Sequence, residues 1–304
     1  MLPTQRGGFR LFRLTGIDVY LHWSWFLVAA YEIRRAQDYR SPVWGVLEYV
    51  GLFVIVTMHE FGHALACRQV GGRADQIVLW PLGGVAYVNP PQRPGATLWS
   101  IAAGPLVNLV LVPVTIGAYW AARSFGLGAT APDALALLGA LAAVNAALLI
   151  FNLLPVYPLD GGQILRALLW FVVGRARSLM AVALFGFVGV LGLAAFAWQQ
   201  ESTWLGILTA FVAMSCWRGY QHARELVRVE SLPRHVGFAC PGCGTAPPVG
   251  PLWSCGACRT PFDVFETSGA CPACHSRSAG VRCSECGTGN PIDAWATASP
   301  AAVR

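Results

Sequence analysis

The sequence predicts an α-helical polytopic membrane protein followed by a small cysteine-rich module. Three observations predict it. Only 12% of the 304 residues are charged while 55% are hydrophobic, about half the charged share of an average soluble domain. Long apolar runs fill the chain up to about residue 220. Beyond that point come paired cysteines, Pro and Gly. Together these exclude a water-soluble globule, a disordered chain and a collagen-like chain. Residues 1–220 are therefore a membrane domain, 221–238 an Arg-rich linker, 239–293 the cysteine-rich module and 294–304 a flexible tail. Met1–Gly16 carries Arg6, Arg10 and Arg13 but lacks a short apolar core with a small-residue cleavage site, so it does not read as a signal peptide.

A membrane-crossing helix needs about 20 apolar residues. Six segments are candidates: Val19–Tyr31, Val43–Ala66, Thr97–Ala122, Asp133–Leu154, Ser178–Trp198 and Thr203–Trp217. The first and last are short. Between the second and third, Gln76–Trp80 and Val85–Val88 flank Pro81-Leu82-Gly83-Gly84, which predicts a β-hairpin. Its open backbone groups require protein or a wet cavity around them. All 21 basic residues are Arg. With six spans, 13 of them fall on the N-terminal side of the membrane and 4 (Arg34, Arg35, Arg40, Arg123) on the other. The positive-inside rule then puts both termini in the cytoplasm of a multi-pass cell-membrane protein.

The second segment contains His59-Glu60-Phe61-Gly62-His63. A spacing of four puts both imidazoles on one helical face, where they can hold one zinc ion. Glu60 stands beside them to accept a proton from zinc-activated water. Ionisable groups inside a membrane helix cost a few kcal/mol each by insertion scales and are rarely idle. A catalytic zinc needs a third ligand, and Asp160 is the best candidate: it is the only acid between Asp133 and Glu201. Asp160 also fits a helix N-cap, with Gln163 three residues on, opening a helix over Gly161–Val173. Pro155 and Pro158 break the preceding helix. Asn108 and Asn145 are expected to hydrogen-bond between helices, and Cys67 and Cys216 to be small buried residues.

These residues resemble the site-2 protease family of intramembrane zinc metalloproteases. The resemblance rests on HExxH in a membrane helix, Ala103-Gly104-Pro105 with Asn108, and Asn152-x-x-Pro155-x-x-Pro158-x-Asp160-Gly161, and runs from about Gly16 to Arg175. It implies hydrolysis of peptide bonds in or near the transmembrane segments of single-span membrane proteins. It further implies His59, His63 and Asp160 as ligands of a catalytic zinc, Glu60 as general base, and Asn152 as a contact for substrate or oxyanion. By the same resemblance, Pro81–Val88 is an edge strand for an unwound substrate. Such strand addition replaces the hydrogen bonds a helix loses when it is extended for cleavage. Cys67–Ala96 is too short to hold the PDZ domain of many relatives.

The C-terminal module holds four CxxC pairs: Cys240/Cys243, Cys255/Cys258, Cys271/Cys274 and Cys283/Cys286. They supply two closed sites of four thiolates, hence two structural zinc ions. Taken consecutively they give ribbons at Cys240–Cys258 and Cys271–Cys286, although spacing leaves the pairing open. From Phe238 onward, Arg259, Arg277, Arg282 and Arg304 balance Asp263, Glu266, Glu285 and Asp293. The basic footprint of a nucleic-acid binder is absent, so a protein-binding or self-regulatory module is expected instead. Two other readings compete: a membrane-embedded HExxH protease whose third ligand is a downstream Glu, and a catalytically idle scaffold that binds partners through its ribbons.

Overall fold

The computed structural model describes residues 7–26, 39–80 and 83–297. The chain divides into two units, one running to Tyr220 apart from residues 91–93, the other from Gln221 onward.

In the first unit, β1 (Gly8–Leu14) and β2 (Ile17–His22) form an antiparallel hairpin. Thr15 and Gly16, at φ 51° and 77°, make its turn, as two-residue hairpin loops require. Helix α1 (Pro42–Gln69) then crosses over to β3 (Arg73–Trp80), which lies parallel to β2, and β4 (Gly83–Asn89) returns antiparallel. The sheet order β1-β2-β3-β4 leaves β1 and β4 as edges. Ile17, Val19, Ile77 and Leu79 pack with Val56, Ala64 and Cys67 of α1 into one core. The remaining helices are α2 (Pro94–Ser124), the single turn α3 (Leu127–Thr130), α4 (Pro132–Leu153), α5 (Asp160–Val173), α6 (Arg175–Gln199) and α7 (Thr203–Glu230).

The unit is mostly helical, and among the described residues four helices are long and apolar enough to cross a membrane: α1, α2, α4 and α6. Leu109, Val110 and Val114 of α2, Ile150 of α4, and Phe185, Val188 and Leu191 of α6 lie exposed. So much uncovered apolar surface fits contact with lipid rather than water. The expected first span is corrected in its first part, because Val19–His22 is strand β2; residues 27–31 of it lie outside the described residues. An alternation of apolar and polar residues outweighs hydropathy there. The expected sixth span is the first half of α7. That helix continues through Glu230, so the first ten residues of the expected linker are helical. The β3–β4 hairpin forms where expected, with Pro81 and Leu82 outside the described residues.

The second unit has two short hairpins, β5 (Trp253–Ser254) with β6 (Pro261–Phe262), and β7 (Val281–Arg282) with β8 (Gly289–Asn290). The ring of Phe265 meets those of Phe238, Trp253 and Trp295 at 5.2, 5.2 and 5.1 Å. Trp295 is 1% exposed, and the N–H of Ala239 donates to its carbonyl. The expected flexible tail is thereby corrected at its start: Trp295 joins this unit's core and the Thr297 N–H donates to the Gly237 carbonyl, so burying a tryptophan outweighs the entropy of ordering this stretch.

Candidate active site

Helix α1 begins at Ser41, whose hydroxyl accepts from Val43 N–H, and Pro42 fits the first turn, where no N–H is needed. It ends where Gly71 adopts φ 83°, as a left-handed helix stop favours. His59, Glu60 and His63 lie on its buried face, each 6% exposed. Helix α2 crosses close by because its residues are small. A Cβ on Gly62 would lie 2.7 Å from the Ala103 carbonyl oxygen, and one on Gly104 would lie 2.2 Å from His63 Nε2. The Ala103-Gly104-Pro105 motif is thus the space that the second imidazole occupies.

Asp160 comes from the start of α5. Leu154–Leu159 leads into it through a cis Tyr157–Pro158 bond. Gly161 and Gly162 let α5 sit directly on that loop, since a Cβ at either would come within 2.6 Å of its main chain or of the Leu153 carbonyl. The Cys216 thiol of α7 donates to the Tyr157 carbonyl at 2.9 Å. Cys67 and Cys216 are both fully buried. Asp160 does not cap its helix: Leu159 holds that position without a side-chain bond, and Gln163 Nε2 donates to the Pro158 carbonyl.

The carboxylate turns to the histidines instead. His59 Nε2 lies 3.1 Å from Asp160 Oδ2, His63 Nε2 lies 3.3 Å from it, and the two Nε2 atoms are 3.1 Å apart. On the far side of each ring, His59 Nδ1–H donates to Asn108 Oδ1 at 2.5 Å and His63 Nδ1–H donates to the Ser100 carbonyl at 2.9 Å. With the protons on Nδ1, both Nε2 atoms present lone pairs. Asp160 Oδ2 is itself buried without a hydrogen-bond partner. Three acceptors therefore converge with no proton between them, an arrangement that repels itself unless a cation sits among them. Tetrahedral zinc with bonds of about 2.0–2.1 Å has ligand atoms about 3.3 Å apart, so the donor set fits zinc in both chemistry and spacing.

Glu60 Oε2 accepts the Ala86 N–H of edge strand β4 at 2.9 Å. A Cβ on Gly84 would fall on Glu60 Cγ, so the glycine lets the strand reach the carboxylate. Asn152, in the last turn of α4, is half-buried and makes no side-chain hydrogen bond among the described residues. Asn108 donates through Nδ2 to Asn145 Oδ1 at 2.7 Å. That bond joins α2 to α4 as expected, but the contact of Asn108 with His59 was not foreseen; an Asn deep in an apolar run was the available signal.

In the second unit, Cys240, Cys243, Cys283 and Cys286 form one cluster, and Cys255, Cys258, Cys271 and Cys274 the other. The pairing is nested, first pair with fourth and second with third, not consecutive. Sγ–Sγ distances of 3.6–3.7 Å exceed the roughly 2.05 Å of a disulfide and match the about 3.8 Å edge of a tetrahedral zinc–thiolate site. The residue after each second cysteine, Gly244, Arg259, His275 or Gly287, has φ between 57° and 74°. Its N–H donates to the carbonyl of the first cysteine of the pair. His275 thus serves the turn through its backbone. The main-chain N–H of Cys258, the Ser276 hydroxyl and the Ala257 N–H pull the Cys255 thiol below its ordinary value, which favours a thiolate there, the form metal requires.

The sequence profile of peptidase family M50 matches residues 48–131 and 112–196. A zinc metalloprotease of Methanocaldococcus jannaschii is 30% identical over 227 residues, 75% of this chain and 63% of that protein. Rip3 of Mycobacterium tuberculosis is 29% identical over 273 residues, 82% of this chain and 66% of Rip3. The chain thus spans a little under two thirds of the length of these relatives. The solved site-2 protease from Methanocaldococcus jannaschii superposes with a TM-score of 0.54 at 30% identity, covering 70% of this chain and 95% of that one. With the profile, the relatives and the fold in agreement, the chain belongs to peptidase family M50, the site-2 protease family.

Proposed function

We propose that the protein is a multi-pass intramembrane zinc metalloprotease that cuts single-span membrane proteins in or near their transmembrane segments, with both termini cytoplasmic. The observation that carries this reading is the convergence of His59 Nε2, His63 Nε2 and Asp160 Oδ2 within 3.3 Å of one another on a buried helix face. These three residues would hold the catalytic zinc, and the two cysteine clusters one structural zinc each. Zinc held by the three residues supplies Lewis-acid polarisation and water activation at neutral pH.

The chain's own groups do the rest. Glu60 takes the proton from the attacking water and hands it to the leaving amine. Its bond to Ala86 N–H sets the carboxylate against the strand along which substrate would lie. Edge strand β4 offers main-chain hydrogen bonds to an unwound segment. The side-chain amide of Asn152, without a partner among the described residues, contacts the substrate. The ribbon unit, with balanced charge, binds protein and selects substrates.

The test compares wild type with Glu60→Gln for cleavage of a single-span reporter, alongside zinc content. Zinc should be unchanged and turnover should fall by about 10²–10⁴-fold. A variant cutting within tenfold of wild type removes Glu60 from the role of base.

A further inference from the structure

The two imidazoles are held in different ways. His63 Nδ1–H donates to a main-chain carbonyl, that of Ser100, which no side-chain substitution removes. His59 Nδ1–H donates to a side chain, Asn108 Oδ1, at 2.5 Å. We propose that Asn108 and Asn145 form an amide pair that fixes the tautomer and rotation of His59, making them positioning residues of the metal site. This rests on the metal reading given above.

The donors and acceptors force the arrangement. His59 Nε2 faces His63 Nε2 and Asp160 Oδ2, so its proton must reside on Nδ1. Asn108 must then present oxygen to His59, which turns its amino group the other way. There it meets Asn145 Oδ1 at 2.7 Å, and the Asn145 amino group returns to the Asn108 main-chain carbonyl at 3.3 Å. Flipping either amide would set N–H against N–H or oxygen against oxygen. Both asparagines are 0% exposed, so no water competes and a broken bond leaves an unsatisfied buried group. Helix packing alone would need only the contact between the two asparagines. The third member, a metal-facing imidazole, gives the pair a task beyond packing. Partners of this kind, one shell out from a metal, typically cost 10–100-fold in metal affinity when removed.

The test uses full-length protein in detergent, titrated with graded chelator while bound zinc is counted. Wild type should hold three zinc ions and His63→Ala two, which identifies the third; wild type holding only two overturns the proposed function and this inference together. Asn108→Leu keeps the bulk and removes the acceptor. It should release the third zinc at chelator strengths about 10–100-fold lower, with the two thiolate-bound ions unmoved as an internal control. Asn108→Asp restores the acceptor toward His59 but sets its other oxygen against Asn145 Oδ1, so it is combined with Asn145→Ala, and that combination should recover most of the loss. Asn145→Ala should weaken the third zinc less than Asn108→Leu. Asn108→Leu combined with Asn145→Ala should be no weaker than Asn108→Leu alone, since Asn145 acts through Asn108. Wild-type retention in Asn108→Leu, no recovery in Asn108→Asp combined with Asn145→Ala, or additive losses in Asn108→Leu combined with Asn145→Ala each overturn the proposal while leaving the metal site intact. If Asn108→Leu does not fold, Asn145→Ala decides: weakened retention supports the pair and wild-type retention overturns it.

Discussion

Gly104→Ala is a one-carbon change that should disable the site without replacing a proposed ligand. The added Cβ would stand 2.2 Å from His63 Nε2, where ordinary contact begins at 3.4 Å. The imidazole must retreat by about 1.2 Å, since the clash is with a buried ring rather than the free end of a flexible chain. Zinc bonds tolerate errors of about 0.2 Å, and a misplacement of about 1 Å can cost 10²-fold in rate. Zinc should therefore be held at least tenfold more weakly at the His59/His63/Asp160 site, and cleavage of a single-span reporter should fall at least about 100-fold. Gly117→Ala on the same helix is the matched control, because a Cβ there meets nothing within 4 Å. It should leave both readouts unchanged and strengthen the helix by up to about 1 kcal/mol. Wild-type zinc and turnover in Gly104→Ala would refute the reasoning that backbone clearance at this glycine sets the imidazole's place.

Two further outcomes test the ribbon unit. Nested pairing requires Cys243→Ser with Cys283→Ser to remove one zinc ion, and Cys243→Ser with Cys258→Ser to remove two; metal analysis of the purified variants would show the reverse for neither combination. Asp263 is buried, which raises its pKa, but the Gly250 N–H, the His235 ring and the Glu266 and Phe265 N–H groups outweigh that and hold it below the ordinary value. A depressed carboxylate stabilises the fold above its unfolded pKa of about 3.9 and loses that contribution as pH falls through the folded value. Asp263→Asn should be less stable than wild type by about 1–3 kcal/mol at pH 7. Thermal unfolding should show the gap closing below about pH 4. Zinc release from the thiolates affects both proteins, so a gap unchanged in acid would remove Asp263 from this role.

Legibility in the sequence followed the range of the interaction. His59 and His63 meet because helical geometry is local, and their shared face is implied by a spacing of four. The CxxC turns are equally local. The nested partnering of those turns is not, because all four pairs have the same spacing and only the surrounding core, Phe265 and Trp295 above all, sets which pairs face each other. Asp160 had two compatible local readings, and only its approach to the two imidazoles is found, since Leu159 takes the cap position. Hydropathy misread β2, although Thr15-Gly16 between alternating segments is a hairpin signal. Asn108 was visible as a polar residue in an apolar helix, but its contact with His59 depends on the α1–α2 crossing that Gly62 and Ala103 permit.

The nesting of the cysteine pairs makes the two closures unequal in reach. The inner cluster ties residues 13–19 positions apart, while the outer one ties residues 40–46 apart and brings the two ends of the module together. Stripping the outer ion would unbuckle both ends at once, including the anchorage of Trp295, yet leave a smaller metal-clamped loop closed. Opening the inner cluster alone would instead loosen only the loop between its pairs and leave the two ends joined.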